Sequence, residues 1–215
     1  MNPIGVFGGT FDPIHFGHLR TAFELQQALR FAELRFIPAG DPPHREAPLA
    51  DAEARLAMVR AATADQPGFV VDDREVRRAG PSYSVTTLGE LRAEFPAQPL
   101  CLIVGMDAFL GLPGWHRWRE LLELAHLVVA RRPGWRAPEA GTTGELLAER
   151  GTERVDDLHQ AVAGRILIRQ VTQLEISSTD LRSLIVTGCD PRYLMPDAVR
   201  DIIIETGCYI RQPTR

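Results

Sequence analysis

Apolar runs of strand length recur along the chain as IGVFGG (4–9), ELRFIPAG (33–40), FVVDDREV (69–76), PLCLIVGMD (99–107), HLVVARR (126–132) and RILIRQV (165–171). Between most of them the apolar spacing changes to that of a helix. Leu19, Ala22, Phe23 and Leu29 follow the first run at helical intervals, and Leu88, Leu91 and Phe95 precede the fourth. Asp51 can cap a helix over ADAEARLAMVRAA, Pro196 suits the first turn of PDAVRDIIIETG, and Gly207 suits its stop. Strand and helix in alternation predict βαβ units, hence an α/β fold with a doubly wound, mainly parallel sheet and helices on both faces. Ligands of such sheets bind beyond the carboxyl ends of the strands, near the point where strand order reverses. The turn after the first run, GGTFDPIHFGHL, falls at that edge.

The 215 residues fit one domain, 1–215, long enough to bury a proper core. Within it, 134–164 is richer in Gly, Ala, Thr and charge, carries two short helical patterns, and reads as an insertion or lid. Hydrophobic residues at 45% and charged ones at 24% exclude disorder, coiled coil and collagen for the whole chain. The net charge of -4 argues against a nucleic-acid surface. No lysine occurs, so every fixed positive side chain is a guanidinium, and a lysine nucleophile or Schiff base is excluded. Cys101, Cys189 and Cys208 are odd in number and lack CxxC spacing, which suits a reducing, cytoplasmic compartment. MNPIGVFGG has no basic n-region, and no apolar run approaches the roughly 20 residues of a membrane helix, so neither export nor membrane insertion is expected.

The chemistry concentrates in the first turn. Gly8 and Gly9 remove side chains where backbone N–H groups can approach an anion, and a helix starting near Gly17 or His18 points its positive end the same way. Neither GxxxxGK[ST] nor GxGxxG is matched, which leaves a phosphate cradle without a lysine. A lone histidine there would be read as a helix cap or a satisfied core group. Two of them, His15 and His18, beside a glycine turn favour a ligand site.

GGTFDPIHFGHL resembles the first signature of the HxGH nucleotidyltransferase superfamily, and LEISSTDLR its second. PAGDPPHR (38–45), GPSYSVTTL (80–88), GMDAFLGLPGWHRWREL (105–121) and the C-terminal LMPDAVRDIIIETGCYI resemble segments of bacterial nicotinate-nucleotide adenylyltransferases, so the likeness runs over most of the chain. The resemblance implies a Rossmann-like fold and transfer of AMP from ATP to nicotinate mononucleotide, with release of pyrophosphate. It implies that His18 donates to the α-phosphate while His15 and Thr10 position phosphate oxygens, with Gly8, Gly9, Phe11 and Gly105 also on the ATP side. Asp107 would lie by the adenosine ribose, and Ser178, Thr179 and Arg182 would hold the β and γ phosphates, Mg²⁺ coming with ATP. On the acceptor side it implies His44, Arg45, Ser84, Thr86 and Trp115, with Thr86 and Trp115 bounding the pyridine ring. Arg45 stands where that family usually has lysine, and a planar fork is not a flexible ammonium. Trp118 and Leu121 fit the apolar face of the following helix, whereas RRPG at 131–134 invites a nucleotide contact. Phosphopantetheine adenylyltransferase shares both end motifs and is the enzyme alternative; a nucleotide-sensing regulator without turnover is the non-enzyme one. The oligomeric state stays open, a homodimer included.

Overall fold

The computed structural model of the chain describes residues 1–43, 47–131, 134 and 136–209. Its strands are β1 (Ile4–Gly9), β2 (Glu33–Pro38), β3 (Phe69–Val71), β4 (Leu100–Gly105), β5 (His126–Arg131), β6 (Gly151–Thr152) and β7 (Ile166–Gln170). The longer helices are α1 (Phe16–Leu29), α2 (Ala52–Thr63), α4 (Ser84–Glu94), α7 (Gly141–Arg150), α9 (Ser178–Val186) and α10 (Asp197–Thr206). Four short ones, α3 (Arg74–Arg77), α5 (Met106–Leu110), α6 (Leu121–Leu124) and α8 (Asp157–Gln160), fill the connections. The strands form one sheet in the order β3-β2-β1-β4-β5-β7-β6, and each neighbouring pair is parallel.

Strand side chains alternate between two cores, which is why the runs are apolar throughout. Ile4, Val6, Leu100, Leu102, Val104, Leu127 and Val129 meet Val85, Leu88 and Leu91 of α4 and Met106 and Phe109 of α5. Cys101, Ile103, Val128 and Ala130 point the other way, onto Ala22, Leu25 and Leu29 of α1, Met58 and Val59 of α2, Leu181 of α9 and Val199 and Ile203 of α10. Helices therefore cover both faces, as the alternation predicts. No helix among the described residues is long and apolar enough to cross a membrane.

Several boundaries differ from the apolar pattern. The third run leaves the sheet at Val71, because the Asp72 carboxylate accepts from the Arg74 N–H at 3.2 Å and from its guanidinium, turning the chain into α3. Met106 and Asp107 belong to α5 rather than to the fourth strand. Pro196 stands at the N-cap of α10, one place before the first turn, while Gly207 closes that helix with a left-handed backbone, φ 64°. Asp51 caps α2 as expected, accepting from the Ala54 N–H at 2.7 Å. Residues 134–164 supply α7, α8 and the unpredicted strand β6, which extends the sheet edge by pairing Gly151 with Ile166 and Thr152 with Leu167.

From β1 the chain builds outward to β2 and β3, then returns to place β4 on the other side of β1 and continues to β5 and β7. Strand order thus reverses between β1 and β4, and the loops leaving those two strands border one crevice.

Candidate functional site

The loop from β1 to α1 carries the first signature. Phe11 adopts a left-handed backbone, φ 49°, and its buried ring meets Phe7 edge-on at 5.8 Å and His18 at 5.2 Å between centroids. A Cβ on Gly9 would lie 3.0 Å from that ring, so a side chain there would press the ring aside. His15 is the N-cap of α1: its backbone is extended, and Nδ1 accepts the Gly17 N–H at 3.1 Å. With Nδ1 an acceptor, the ring is neutral and holds its proton on Nε2. A Cβ on Gly17 would come within 2.9 Å of the same ring, which explains the glycine between the two histidines. The His15 and His18 rings lie 3.9 Å apart at 38°.

The amides of the first turn of α1 are all engaged. Phe16 N–H goes to Leu194 O at 3.1 Å, Gly17 N–H to His15 Nδ1, and those of His18 and Leu19 to His15 O at 3.0 and 3.2 Å. What α1 presents to the crevice is its dipole and two imidazoles.

The second signature is stitched to the first. Ser177, not Ser178 or Thr179, caps α9, accepting the Asp180 N–H at 3.1 Å. Ser178 is thereby left to donate its hydroxyl to Pro13 O at 2.9 Å, and Thr179 accepts from Arg182 Nη2 at 3.3 Å. Arg182 donates through Nη1 to Asp12 O at 2.7 Å. The starts of α1 and α9, far apart in sequence, thus share one loop. Beyond them, the carboxyl ends of β5 and β7 border a polar cleft of about 740 Å³ lined by Glu24, Arg131, Arg169, Gln170 and Gln173.

Across the reversal point, Gly105 ends β4 and Asp107 lies exposed in the first turn of α5, its Oδ1 folded back to 2.6 Å from where a Cβ on Gly105 would stand. The loops after β2 and before α4 are joined by Ser82, whose hydroxyl accepts from the Gly40 and Asp41 N–H groups at 3.0 and 3.3 Å. Ser84 begins α4, half-buried, and Thr86 is exposed in the same first turn. Thr87 has a structural task instead: it donates to Glu75 Oε1 at 2.5 Å and accepts from Arg78 at 3.0 Å, while burial pushes the Glu75 carboxyl above its ordinary pKa. Trp115 follows a short helical turn and lies half-buried against the α4 side of the core; Trp118, expected inside it, is also only partly covered. His44, Arg45 and Arg132 lie outside the described residues.

Sequence reasoning missed four residues of this region. Tyr83 and His116 place their rings 4.2 Å apart at the mouth of α4; the signal was two aromatic rings inside segments already singled out. Asp12 is buried in the middle of the first signature. Arg55 is 1% exposed and donates to Thr10 O at 2.7 Å and to Ala50 O and Gly40 O at 3.2 Å, so one guanidinium ties the loops after β1 and β2 together. Burial lowers its pKa, against the pull of Asp12. In the sequence it looks like any helical arginine.

Comparison with known proteins matches residues 6–184 to the cytidylyltransferase-like family. An Aeromonas hydrophila protein named "Probable nicotinate-nucleotide adenylyltransferase" is 53% identical over 207 residues, covering 96% of this chain and 97% of its own. A Halorhodospira halophila protein of the same name is 51% identical over 211 residues, covering 97% and 96%. Among solved structures, Plasmodium falciparum nicotinic acid mononucleotide adenylyltransferase complexed with NaAD superposes with a TM-score of 0.73 over 97% of this chain and 98% of its own, at 13% identity. The same Plasmodium protein complexed with APC gives 0.71 at 15%, with the same coverage. At such identities the likeness is one of fold.

Proposed function

Because this chain belongs to the nicotinate-nucleotide adenylyltransferase family, we propose that the crevice between the β1 and β4 loops is where it works, with His15 and His18 at the reacting phosphorus. The enzyme transfers AMP from ATP to nicotinate mononucleotide, giving nicotinate adenine dinucleotide and pyrophosphate, a step of NAD biosynthesis. The observation that carries the site is the pair of imidazoles 3.9 Å apart at the reversal point, one of them held in place by the Gly17 N–H bond to His15 Nδ1.

A phosphate oxygen of the mononucleotide attacks the α-phosphorus; the new Pα–O bond forms as the bond to the β-phosphate bridging oxygen breaks, and pyrophosphate leaves with that electron pair. The nucleophile is already anionic, so no base is needed. Charge grows on the non-bridging and leaving oxygens, and positioned donors stabilise it. His18 donates to the α-phosphate, and His15 and Thr10 position neighbouring oxygens. Gly8, Gly9 and Phe11 shape the floor. ATP enters as its Mg²⁺ complex, which neutralises the triphosphate. Ser178, Thr179 and the remaining guanidinium N–H groups of Arg182 meet the β and γ phosphates at the start of α9. Asp107, beside Gly105, takes the ribose hydroxyls.

The acceptor ring lies against Trp115, with Tyr83 and His116 beside it, and its carboxylate meets the Ser84 and Thr86 hydroxyls at the positive end of α4. The family resemblance assigns His44 and Arg45 to the acceptor phosphate. The reaction belongs in a reducing cytoplasm, which suits three free thiols. The test is pyrophosphate release from MgATP with nicotinate mononucleotide, nicotinamide mononucleotide and 4′-phosphopantetheine as acceptors. Release with the first supports the reading; release with phosphopantetheine alone would replace it, and nucleotide binding without release would make the protein a sensor.

A further inference from the structure

Tyr209 follows α10, nearly two hundred residues from the first signature, yet its hydroxyl donates to Asp12 Oδ1 at 2.7 Å. Both side chains are buried, at 3% and 6% exposure. Burial and then this bond raise the phenol pKa, so the proton stays on Tyr209. Oδ1 also accepts the Ala50 N–H at 3.1 Å, and Oδ2 accepts the Leu49 N–H at 3.0 Å. The carboxylate is thus held by three donors. Arg182 Nη1 binds the Asp12 carbonyl at 2.7 Å and forms a loose ion pair with Oδ2 at 3.7 Å, beyond hydrogen-bond range.

We propose that Tyr209 is a positioning residue for adenylyl transfer: its hydroxyl anchors Asp12, which keeps the Thr10–Pro13 loop in place and stops the carboxylate from closing on Arg182. Losing one donor frees Oδ1. The carboxylate then gains by turning toward the nearest cation, which pulls the guanidinium off the triphosphate and shifts the loop that carries His15. A small misplacement of reacting groups is costly even when the substituted residue touches neither substrate. The groups facing the pyridine ring stand farther off, since Trp115 and the helix that carries Ser84 and Thr86 pack on the opposite core; the acceptor phosphate side is reached through the Leu49 and Ala50 amides alone.

The inference rests on the adenylyl-transfer reading above, and Tyr209→Phe tests it, because phenylalanine keeps the buried ring. Steady-state kinetics should show kcat down about tenfold and KM for MgATP up several-fold, with a clearly smaller change in KM for nicotinate mononucleotide and Tm above the assay temperature. Wild-type kinetics in Tyr209→Phe would overturn the role. So would a variant that melts at the assay temperature, or one in which both KM values rise alike, since either makes the hydroxyl a general folding contact. A wild-type protein that releases no pyrophosphate would remove the adenylyl-transfer reading and the proposal with it; a wild type that turns over beside an equally fast variant removes the positioning role alone.

Discussion

Gly17 donates its backbone N–H to Nδ1 of His15 at 3.1 Å, and the same ring lies where a side chain on Gly17 would have to be. One residue without a side chain therefore fixes both the tautomer and the tilt of the neighbouring imidazole. Gly17→Ala should push the His15 ring aside. We expect kcat to fall by about 10²-fold while Tm changes little, alanine being a good helix former at that position. Turnover and thermal unfolding of the one variant check this; unchanged kcat would mean that the ring's orientation is not used.

His18→Ala and His15→Ala should differ in kind. His18 donates as charge develops, so its loss should lower kcat by about 10²–10³ with little effect on either KM. His15 is also the cap of α1. Its loss should add a destabilisation of about 0.5–2 kcal/mol in denaturant unfolding, and a share of the kinetic defect should appear in KM for MgATP. Equal Tm values for the two variants would contradict the capping role.

Trp115→Ala should raise KM for nicotinate mononucleotide and leave that for MgATP near wild type, since stacking is worth about 0.5–1.5 kcal/mol beyond burial. Quenching of tryptophan fluorescence by the acceptor should vanish with it. The carboxylate contacts at the start of α4 should favour the nicotinate over the nicotinamide nucleotide in kcat/KM by roughly ten- to several-hundred-fold. Quenching by ATP alone would put Trp115 in the other half of the site.

Acid should weaken the fold through His126. Its ring is fully buried, Nδ1 accepting from the Arg165 N–H at 3.0 Å and Nε2 donating to Ala161 O at 2.8 Å, an arrangement only the neutral tautomer can make. Burial depresses its pKa below the ordinary 6.5. The unfolded chain therefore takes up a proton near that value while the folded protein does not. Stability is full above about pH 6.5 and falls as the pH drops below it, by up to about 1.4 kcal/mol per pH unit from this group. Urea unfolding at pH 7.5 and 5.5 checks the sign: His126→Gln should be weaker at the higher pH but lose less on acidification.

The sheet was readable because both its faces are covered, which makes β1, β4 and β5 nearly unbroken apolar runs. β6 was not, since Gly151 and Thr152 carry no apolar signal and pair only because β7 offers an edge. The end of β3 was hidden in a carboxylate, Asp72, whose bond to the following amide no periodicity contains. At the site, His15, His18 and the ISSTDLR segment stood out because their chemistry is written in consecutive residues. Arg55 and Tyr209 did not: each acts on a loop far away in sequence, and a buried arginine on a helix has the same letter as a solvated one.

The division of the interior into two cores has a consequence for engineering. His15, His18 and the start of α9 rest on the core beneath α1, whereas the start of α4 and Trp115 rest on the other, with the sheet as a partition between them. Leu25→Ala and Leu88→Ala, both at fully buried positions, should each cost about 2–5 kcal/mol. Yet the first should loosen the hold on MgATP and the second the hold on the pyridine nucleotide, each measurable as a rise in one KM and not the other. The two half-sites rest on separate cores and are joined at the loops, where Arg55 bridges Thr10 and Gly40 and Ser82 holds Gly40 to the α4 side; the acceptor half can therefore be recut for a different ring from the α4 core while those loop bonds keep the triphosphate half in place.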